Sequence, residues 1–175
     1  MASEIIVQTI KGPTSGANEN KVIIPSGQTL DASNGFIPPA GSVIQVKQTN
    51  IADGAVSFSG DVSDIISLSI TPQFSTSKIL FTATTSFERI TSANAYYYAN
   101  MGRTISGGSA VFLTRSQNAA GYQDTTYVRL NGTNSYLDAP NTTNSIIYGV
   151  SMDMAGASGT FNGKECSITL MEIAQ

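Results

Sequence analysis

The stretch DIISLSITPQFSTSKILFTATTSF (residues 64–87) decides the fold class, because it contains two β patterns separated by turn residues. In residues 64–70 and 78–87, apolar side chains alternate with hydroxyl side chains, which is the two-residue period of a half-buried strand. Between them, TPQFSTS (71–77) supplies proline and serine, which favour turns and interrupt strands. The stretch therefore predicts two strands joined by a connecting loop.

The same succession of β patterns and turn residues continues along almost the whole chain, and almost no segment shows the period of a helix. The predicted strands are residues 4–10, 21–24, 42–49, 55–58, 64–70, 78–87, 95–105, 110–116, 126–131, 145–154 and 165–173. Short strands with frequent turn signals favour an all-β sandwich or barrel. We predict an antiparallel, jelly-roll-like β-sandwich. Its predicted core residues are Ile66, Leu68, Ile70, Ile79, Phe81, Val111, Leu113, Ile168 and Leu170.

The chain divides near Gly41 into two parts of different composition. Residues 42–175 supply about eight strands, enough for a two-sheet head domain with its own core. Residues 1–41 form an N-terminal arm with two short strands among glycine, proline, serine and asparagine, too little for an independent core. The apolar residues of KVIIPSGQTLDASNG (21–35) must therefore pack elsewhere. They lie either against their own sandwich or against copies of the arm around a threefold axis.

Four segments resemble a recurrent part of structural proteins from tailed bacteriophages, especially those of marine and cyanobacterial hosts. They are SGANENKVIIPSGQTLDASNGF (15–36), PPAGSVIQVKQT (38–49), LSITPQFSTSKILFTATTSF (68–87) and ITLMEIAQ (168–175). The resemblance is to tail-fibre-like virion appendages, and it implies a homotrimer with a short stem followed by a globular β head. It leaves open whether the appendage sits on the tail or decorates the capsid.

This resemblance directs the apolar residues of the arm toward other chains. In a trimeric stem, Val22, Ile24 and Leu30 are expected to face neighbouring copies, since three arms can bury what one cannot. Ile5 and Val7 lie in the predicted strand 4–10, which is expected to anchor the arm by adding to a sheet edge of another virion protein.

The amino-acid composition limits the kinds of partner that the chain is expected to bind. The net charge is −3 and the nine lysines and arginines are scattered, so there is no basic surface for nucleic acid. No apolar run approaches the length of a membrane helix, which argues against membrane insertion. MASEIIVQTIKG (1–12) has neither a basic start nor a long apolar region, so we expect no signal peptide. A phage protein made in the host cytoplasm and incorporated into the virion fits this pattern.

The residue inventory argues against an enzyme. The chain has no histidine, which excludes a Ser–His–Asp triad and imidazole acid–base catalysis. Cys166 is the only cysteine, so a zinc site is disfavoured, and its β-patterned surroundings predict a buried small hydrophobe. We expect no cofactor. The twelve carboxylates leave a small polysaccharide depolymerase as the weakest alternative.

Three acidic residues lie close together in NIADGAVSFSGDVSD (50–64). Asp53, Asp61 and Asp64 are oxygen ligands of the type that Ca²⁺ takes, but their spacing does not match an EF-hand loop. Each equally suits the start of a turn or the end of a strand. They are candidate ligands only, and no metal is predicted.

The run AYYYANM (95–101) is the densest aromatic stretch. On a strand, Ala99 and Met101 share one face with residues 95 and 97, and Tyr96 and Tyr98 share the other. If the first face is core, the two tyrosines point outward, beside Asn100. They then suit either a subunit interface or a sugar platform.

Two polar segments, SQNAAGYQDTTY (116–127) and NGTNSYLDAPNTTN (131–144), are predicted loops. A surface that reads the host is expected at the end of the sandwich farthest from the arm, and the sequence leaves open which loops lie there. The residues that would contact a host glycan there are Asn118, Tyr122, Gln123, Asn134 and Tyr136. The expected function is a non-enzymatic virion structural protein, a trimeric fibre, spike or capsid decoration that contacts the host surface. A carbohydrate-binding module without a virion role is the alternative.

Overall fold

A computed structural model describes residues 10–17, 19, 21–29, 38–54, 57–89, 95–120, 128–153, 160–163 and 165–175. The chain forms two compact units, Met1–Ile37 and Pro38–Gln175. The prediction of a strand at residues 21–24 is wrong, since this segment pairs with no strand and leads into a turn. In that turn the Gln28 N–H donates to the Pro25 carbonyl at 3.0 Å, and Gly27 takes a φ of 82°. Glycine suits this position because positive φ strains other residues.

The described part of the second unit is built from ten β-strands and contains no helix. The strands are β1 (Val43–Ile51), β2 (Ser57–Phe58), β3 (Val62–Ile70), β4 (Lys78–Arg89), β5 (Ala95–Ile105), β6 (Ala110–Ala120), β7 (Val128–Asp138), β8 (Ile146–Asp153), β9 (Phe161–Gly163) and β10 (Cys166–Ile173). None of the described chain forms a helix long and apolar enough to span a membrane.

The strands form two antiparallel sheets. In the larger sheet β1 pairs with β10, β10 with β4, and β4 with β7, while the short strands β9 and β2 continue β10 and β1. The smaller sheet has the order β3–β8–β5–β6. If β1–β2 and β9–β10 are each counted as one interrupted strand, each sheet has four strands, and every connection except β5–β6 crosses from one sheet to the other, as in a jelly roll. The predicted fold class is confirmed.

The core lies between the inner faces of the sheets, as the two-residue period requires. Burial alternates without a break along β8 and β10. The predicted core residues Ile66, Ile70, Ile79, Phe81, Ile168 and Leu170 are buried. Leu68 and Leu113 are partly buried and pack against this core. Val111 is a wrong prediction, because it is 45% exposed near the start of β6, which is the edge strand of the smaller sheet among the described residues.

Two strand predictions fail in the same way. Residues 131–138 were expected in a loop, but β7 runs through them and pairs with β4 from Arg89 to Ile79. The short strand β9 lies where only turn residues were expected. In both cases asparagine and glycine have low strand propensity, and pairing with a long, strongly apolar neighbour outweighs it.

Candidate functional site

The outer face of the smaller sheet carries a trough across its two central strands. Gly102 of β5 and Gly149 of β8 are direct partners, so no side chain rises from either position. Ser67 continues this row on β3, and Phe112 continues it on β6. The cavity has a volume of about 120 Å³. Beside the two glycines it is lined by Asp64, Arg103, Thr104, Ala110, Ile147 and Ser151.

The trough has chemically different ends. Asp64 lies on the β3 side, and a methyl group placed on Gly149 would be 3.5 Å from the Asp64 Oδ1 atom. This carboxylate therefore lies beside the floor of the trough, and its residue is exposed. Phe112 lies on the β6 side and is 58% exposed. The lining thus has a hydrogen-bond acceptor on the β3 side, and on the β6 side the Phe112 ring lies beside the lining.

Arg115 packs between two aromatic rings next to the trough. Its guanidinium carbon lies 4.8 Å from the ring centroid of Tyr98 and 5.6 Å from that of Phe112. A cation over a ring face is attracted by the ring quadrupole. The stack restrains the orientation of Phe112 while leaving Arg115 itself exposed.

The outer face of the larger sheet is different. Next to the end of β10 it carries an apolar row, in which each residue pairs with the next across the sheet. That row consists of Val46, Met171, Leu80 and Leu137. The rows beyond it are hydroxyl and amide side chains. There the Thr82 and Ser135 hydroxyls are 3.0 Å apart, and those of Thr84 and Thr133 are 3.3 Å apart.

A buried polar contact joins the two sheets under the trough. Asp138 ends β7 in the larger sheet, and its Oδ2 accepts from Arg103 Nη1 at 2.6 Å and from the Tyr148 hydroxyl at 2.7 Å. Arg103 and Tyr148 pair across β5 and β8. Burial is the main factor that raises the pKa of Tyr148, and the Asp138 carboxylate adds to the effect. The phenol therefore stays protonated and acts as a donor.

A second buried carboxylate holds a loop. Glu172 of β10 is fully buried, and its Oε1 accepts from the backbone N–H of Gln73 at 2.7 Å and of Phe74 at 3.3 Å. Its Oε2 accepts from Gln45 Nε2, which also donates to the Thr71 carbonyl at 2.8 Å. Four residues of two segments, β1 and the loop between β3 and β4, are thus fixed around one side chain.

Only some of the predicted receptor residues have side chains in the described part of the chain. Tyr98 lies on the outer face as predicted, since Ala99 and Met101 are buried. Tyr96 lies in β5, and its side chain is outside the described part. Asn118 was expected in a loop, but it lies in β6, where it pairs with Tyr97. Its side chain, like the whole of Tyr122 and Gln123, also falls outside the described residues.

Tyr136 and Asn134 were placed in a loop, and this is wrong. Both lie in β7, opposite Phe81 and Ala83 of β4. They therefore share the side of the sheet on which those two residues are buried, at the sandwich margin. Tyr136 is two residues from the end of β7 at Asp138, whereas the connection to Tyr122 leaves from the opposite end of that strand. That Asn134 and Tyr136 share one site with Tyr122 and Gln123 stays a prediction.

The acidic candidates and the cysteine show no active-site geometry. Asp53, Asp61 and Asp64 are all exposed, in a turn, before β3 and within β3 respectively. Among the described residues, no group of three histidine, cysteine or acidic side chains could hold a metal ion. Cys166 is buried as predicted, and its Sγ lies 3.7 Å from the Ser86 carbonyl. Burial raises the pKa of this thiol, which lowers its reactivity.

The apolar run of the arm is open to solvent. Val22 is 56% exposed, Ile23 55% and Ile24 42%. Of the other residues predicted to face partners, Ile5, Val7 and Leu30 fall outside the described residues. Because the three exposed side chains are consecutive, they do not all point to the same side of the chain. Whichever side packs, some apolar surface stays uncovered.

No family model and no curated protein matches the chain. Among solved structures, it is similar to a chain of the infectious bursal disease virus Gx strain, with 14% identity and a TM-score of 0.40 over 87% of this chain and 42% of that one. It is also similar to a mutant VP2 protein of that virus in T=1 particles, with 16% identity, a TM-score of 0.40, and coverage of 93% and 44%. The chain spans less than half the length of these viral chains.

Proposed function

We propose that this protein is a non-enzymatic virion structural protein of a tailed bacteriophage, which assembles as a homotrimer through its N-terminal arm. The observation that carries the proposal is the exposed apolar run Val22–Ile23–Ile24. A run of this kind in a segment without strand pairing needs another surface to cover it.

The energetics favour a shared core of several arms. Burying apolar surface stabilises by roughly 25 cal/mol per Å², so three such side chains per arm supply several kcal/mol across a trimer. The sandwich has a closed core of its own and does not require the arm for completion. The arm is therefore the part whose burial depends on assembly.

A virion role is supported by two further points. The resemblance of residues 15–36 and 38–49 to tailed-phage structural proteins applies to the arm and the start of β1. Jelly rolls also recur in viral capsids and lectins, which is an analogy at the level of the fold. In this proposal Ile5 and Val7 anchor the arm to another virion protein, and the sandwich projects outward as a fibre, spike or capsid decoration.

Sedimentation of the full chain tests the assembly. At micromolar concentration we expect a trimer, and we expect Val22→Ser with Ile24→Ser to shift it toward monomer without unfolding the sandwich. Val111→Ser is the matched control, because Val111 is comparably exposed but lies in β6. A monomeric wild-type protein, or a trimer that survives the double substitution, would reject the role of the arm.

Immunogold labelling of intact phage particles tests the location. Label on the head identifies a capsid decoration, and label on the tail identifies a fibre or spike. Particles without label, combined with absence of the protein from their mass spectrum, would reject the virion role and leave a carbohydrate-binding module as the alternative.

A further inference from the structure

We propose that the trough over Gly102 and Gly149 binds a single neutral pyranose ring of a glycan. The trough lies on the outer face of the smaller sheet, within one chain. Binding in the trough therefore requires neither assembly into a trimer nor incorporation into a virion.

The dimensions suit one ring. Adjacent strands are about 4.8 Å apart, and side chains on one face of a strand repeat about every 7 Å. Leaving out two neighbouring side chains thus opens a gap about one sugar ring wide. A volume of about 120 Å³ is well below the roughly 300–1,000 Å³ of a pocket that encloses a drug-sized ligand. The site therefore accepts a terminal ring or one ring of a chain that lies across the sheet.

The polar side of the trough matches sugar hydroxyls. Asp64 supplies a carboxylate, which accepts hydrogen bonds from two neighbouring hydroxyl groups in the way a bidentate partner does. Ser151 and Thr104 line the same cavity and each has a hydroxyl that donates or accepts. Arg103 also lines the cavity, but its guanidinium is paired with Asp138. The exposed Asp64 carboxylate therefore repels anionic sugars and phosphates, which selects the neutral class.

The aromatic side matches the C–H face of a pyranose. Phe112 is the row neighbour of Gly102 on β6, so its side chain stands on the same outer face, next to the trough and not over the glycine. At 58% exposure most of the side chain still faces solvent beside the cavity. Arg115 restrains this ring from the other side. A preoriented ring loses less conformational entropy when a ligand stacks on it.

Saturation-transfer-difference NMR with the wild-type protein tests the proposal. The probes are the methyl glycosides of glucose, galactose, mannose and N-acetylglucosamine at millimolar concentration, with methyl glucuronide as the anionic comparator. We expect transfer to at least one neutral glycoside and weaker transfer to methyl glucuronide.

Three substitutions place the binding in the trough. Phe112→Ala and Asp64→Asn are each expected to reduce transfer roughly fivefold, because each removes one of the two end groups. Gly149→Ala fills the floor, and its new methyl group meets Asp64 only at ordinary contact distance, so the fold is retained. Leu137→Ala, on the outer face of the larger sheet, is the matched control and should leave transfer unchanged.

Thermal unfolding of each variant confirms that the sandwich is intact. The proposal is overturned by absence of transfer from the wild-type protein to all four neutral glycosides, or by transfer that persists in folded Phe112→Ala and Asp64→Asn. Stronger transfer to methyl glucuronide than to every neutral glycoside would also overturn it.

Discussion

Two buried carboxylates flank Ile79 in one row of the larger sheet, and their charges are stabilised by different kinds of partner. Glu172, on the β10 side, accepts hydrogen bonds from backbone N–H groups of the loop between β3 and β4 and from the Gln45 side chain. Asp138, on the β7 side, is paired with Arg103 and Tyr148 of the other sheet. The first contact fixes a loop, and the second fixes the two layers relative to each other.

The two carboxylates also differ in whether the polar atoms around them all have hydrogen-bond partners. The Glu172 carboxylate has partners for both oxygens. Around Asp138, the buried Arg103 Nε atom has no hydrogen-bond partner within the described part of the chain. A buried ion pair gains little net stability but is costly to break, because the remaining charge loses its partner. We therefore expect the Asp138 contact to be the more sensitive to substitution.

Arg103→Met is the strongest test of this difference. It leaves Asp138 charged and buried with only the Tyr148 hydroxyl, so we expect a loss of about 3–5 kcal/mol in the free energy of unfolding. Urea denaturation at neutral pH measures the loss. The double variant Arg103→Met with Asp138→Leu removes both charges and should recover most of it. A single-variant loss below about 1 kcal/mol would show that the ion pair is dispensable.

Glu172→Ala should have an intermediate effect. It leaves the N–H groups of Gln73 and Phe74 without an acceptor and the Gln45 amide with only the Thr71 carbonyl, and we expect a loss of about 2 kcal/mol. Hydrogen exchange should accelerate at residues 71–77 more than in β5 and β8. Glu172→Gln, which keeps one oxygen acceptor, is the control and should lose less. Equal acceleration throughout the sandwich would contradict a local role.

Alkaline pH offers a way to weaken the cross-sheet contact without mutation. The pKa of Tyr148 is raised in the folded state above the ordinary value near 10, so above that pH the unfolded state releases a proton that the folded state retains. Stability should therefore be intact below about pH 10 and fall above it, by at most about 1.4 kcal/mol per pH unit from this group. Unfolding curves between pH 8 and 11 measure the fall.

Tyr148→Phe is the control for this pH effect. Its stability should be about 1 kcal/mol lower at neutral pH, because one hydrogen bond to Asp138 is lost. Its loss above pH 10 should be shallower than that of the wild type. Cys166, whose pKa is also raised by burial, is present in both proteins and does not affect the difference. Parallel curves would show that Tyr148 ionises as readily in the folded protein as in the unfolded chain.

Arg115→Ala gives the smallest expected effect and sharpens the contrast between a buried and an exposed arginine of the same sheet. Arg115 is exposed and interacts with the Tyr98 and Phe112 rings, so its removal should cost about 0.5–1 kcal/mol. Thermal unfolding beside Arg103→Met provides the comparison. A loss as large as that of Arg103→Met would contradict the assignment of Arg115 to the surface.

The fold was predictable wherever apolar and polar residues alternate cleanly. The alternation in β4 and β10 identifies both strands and their buried faces, and AYYYANM correctly places Tyr98 outside. The extension of β7 was not predictable from NGTNSYLD, because its pairing with β4 depends on a partner about fifty residues away.

The trough was beyond prediction for a similar reason. Gly102 and Gly149 are unremarkable in sequence, and only the register of β5 against β8 makes them neighbours. Asp64 and Phe112 were likewise separate residues until β3 and β6, the outer strands of the smaller sheet, placed them on either side of β8 and β5. A β-bulge between Met101 and Gly102 sets which residues of β6 face outward, and such a shift leaves no clear signal in the residue pattern.

The pairing of the first strand with the last has a mechanical consequence. The Gly41 N–H donates to the Ala174 carbonyl and the Ala174 N–H to the Ser42 carbonyl, so the two ends of the sandwich lie side by side. Force applied between residues 42 and 174 would open the β1–β10 ladder one hydrogen bond at a time. Force applied between residue 42 and the opposite end of the sheets would instead load the whole ladder in shear. We expect the sandwich to be weak under the first geometry and resistant under the second.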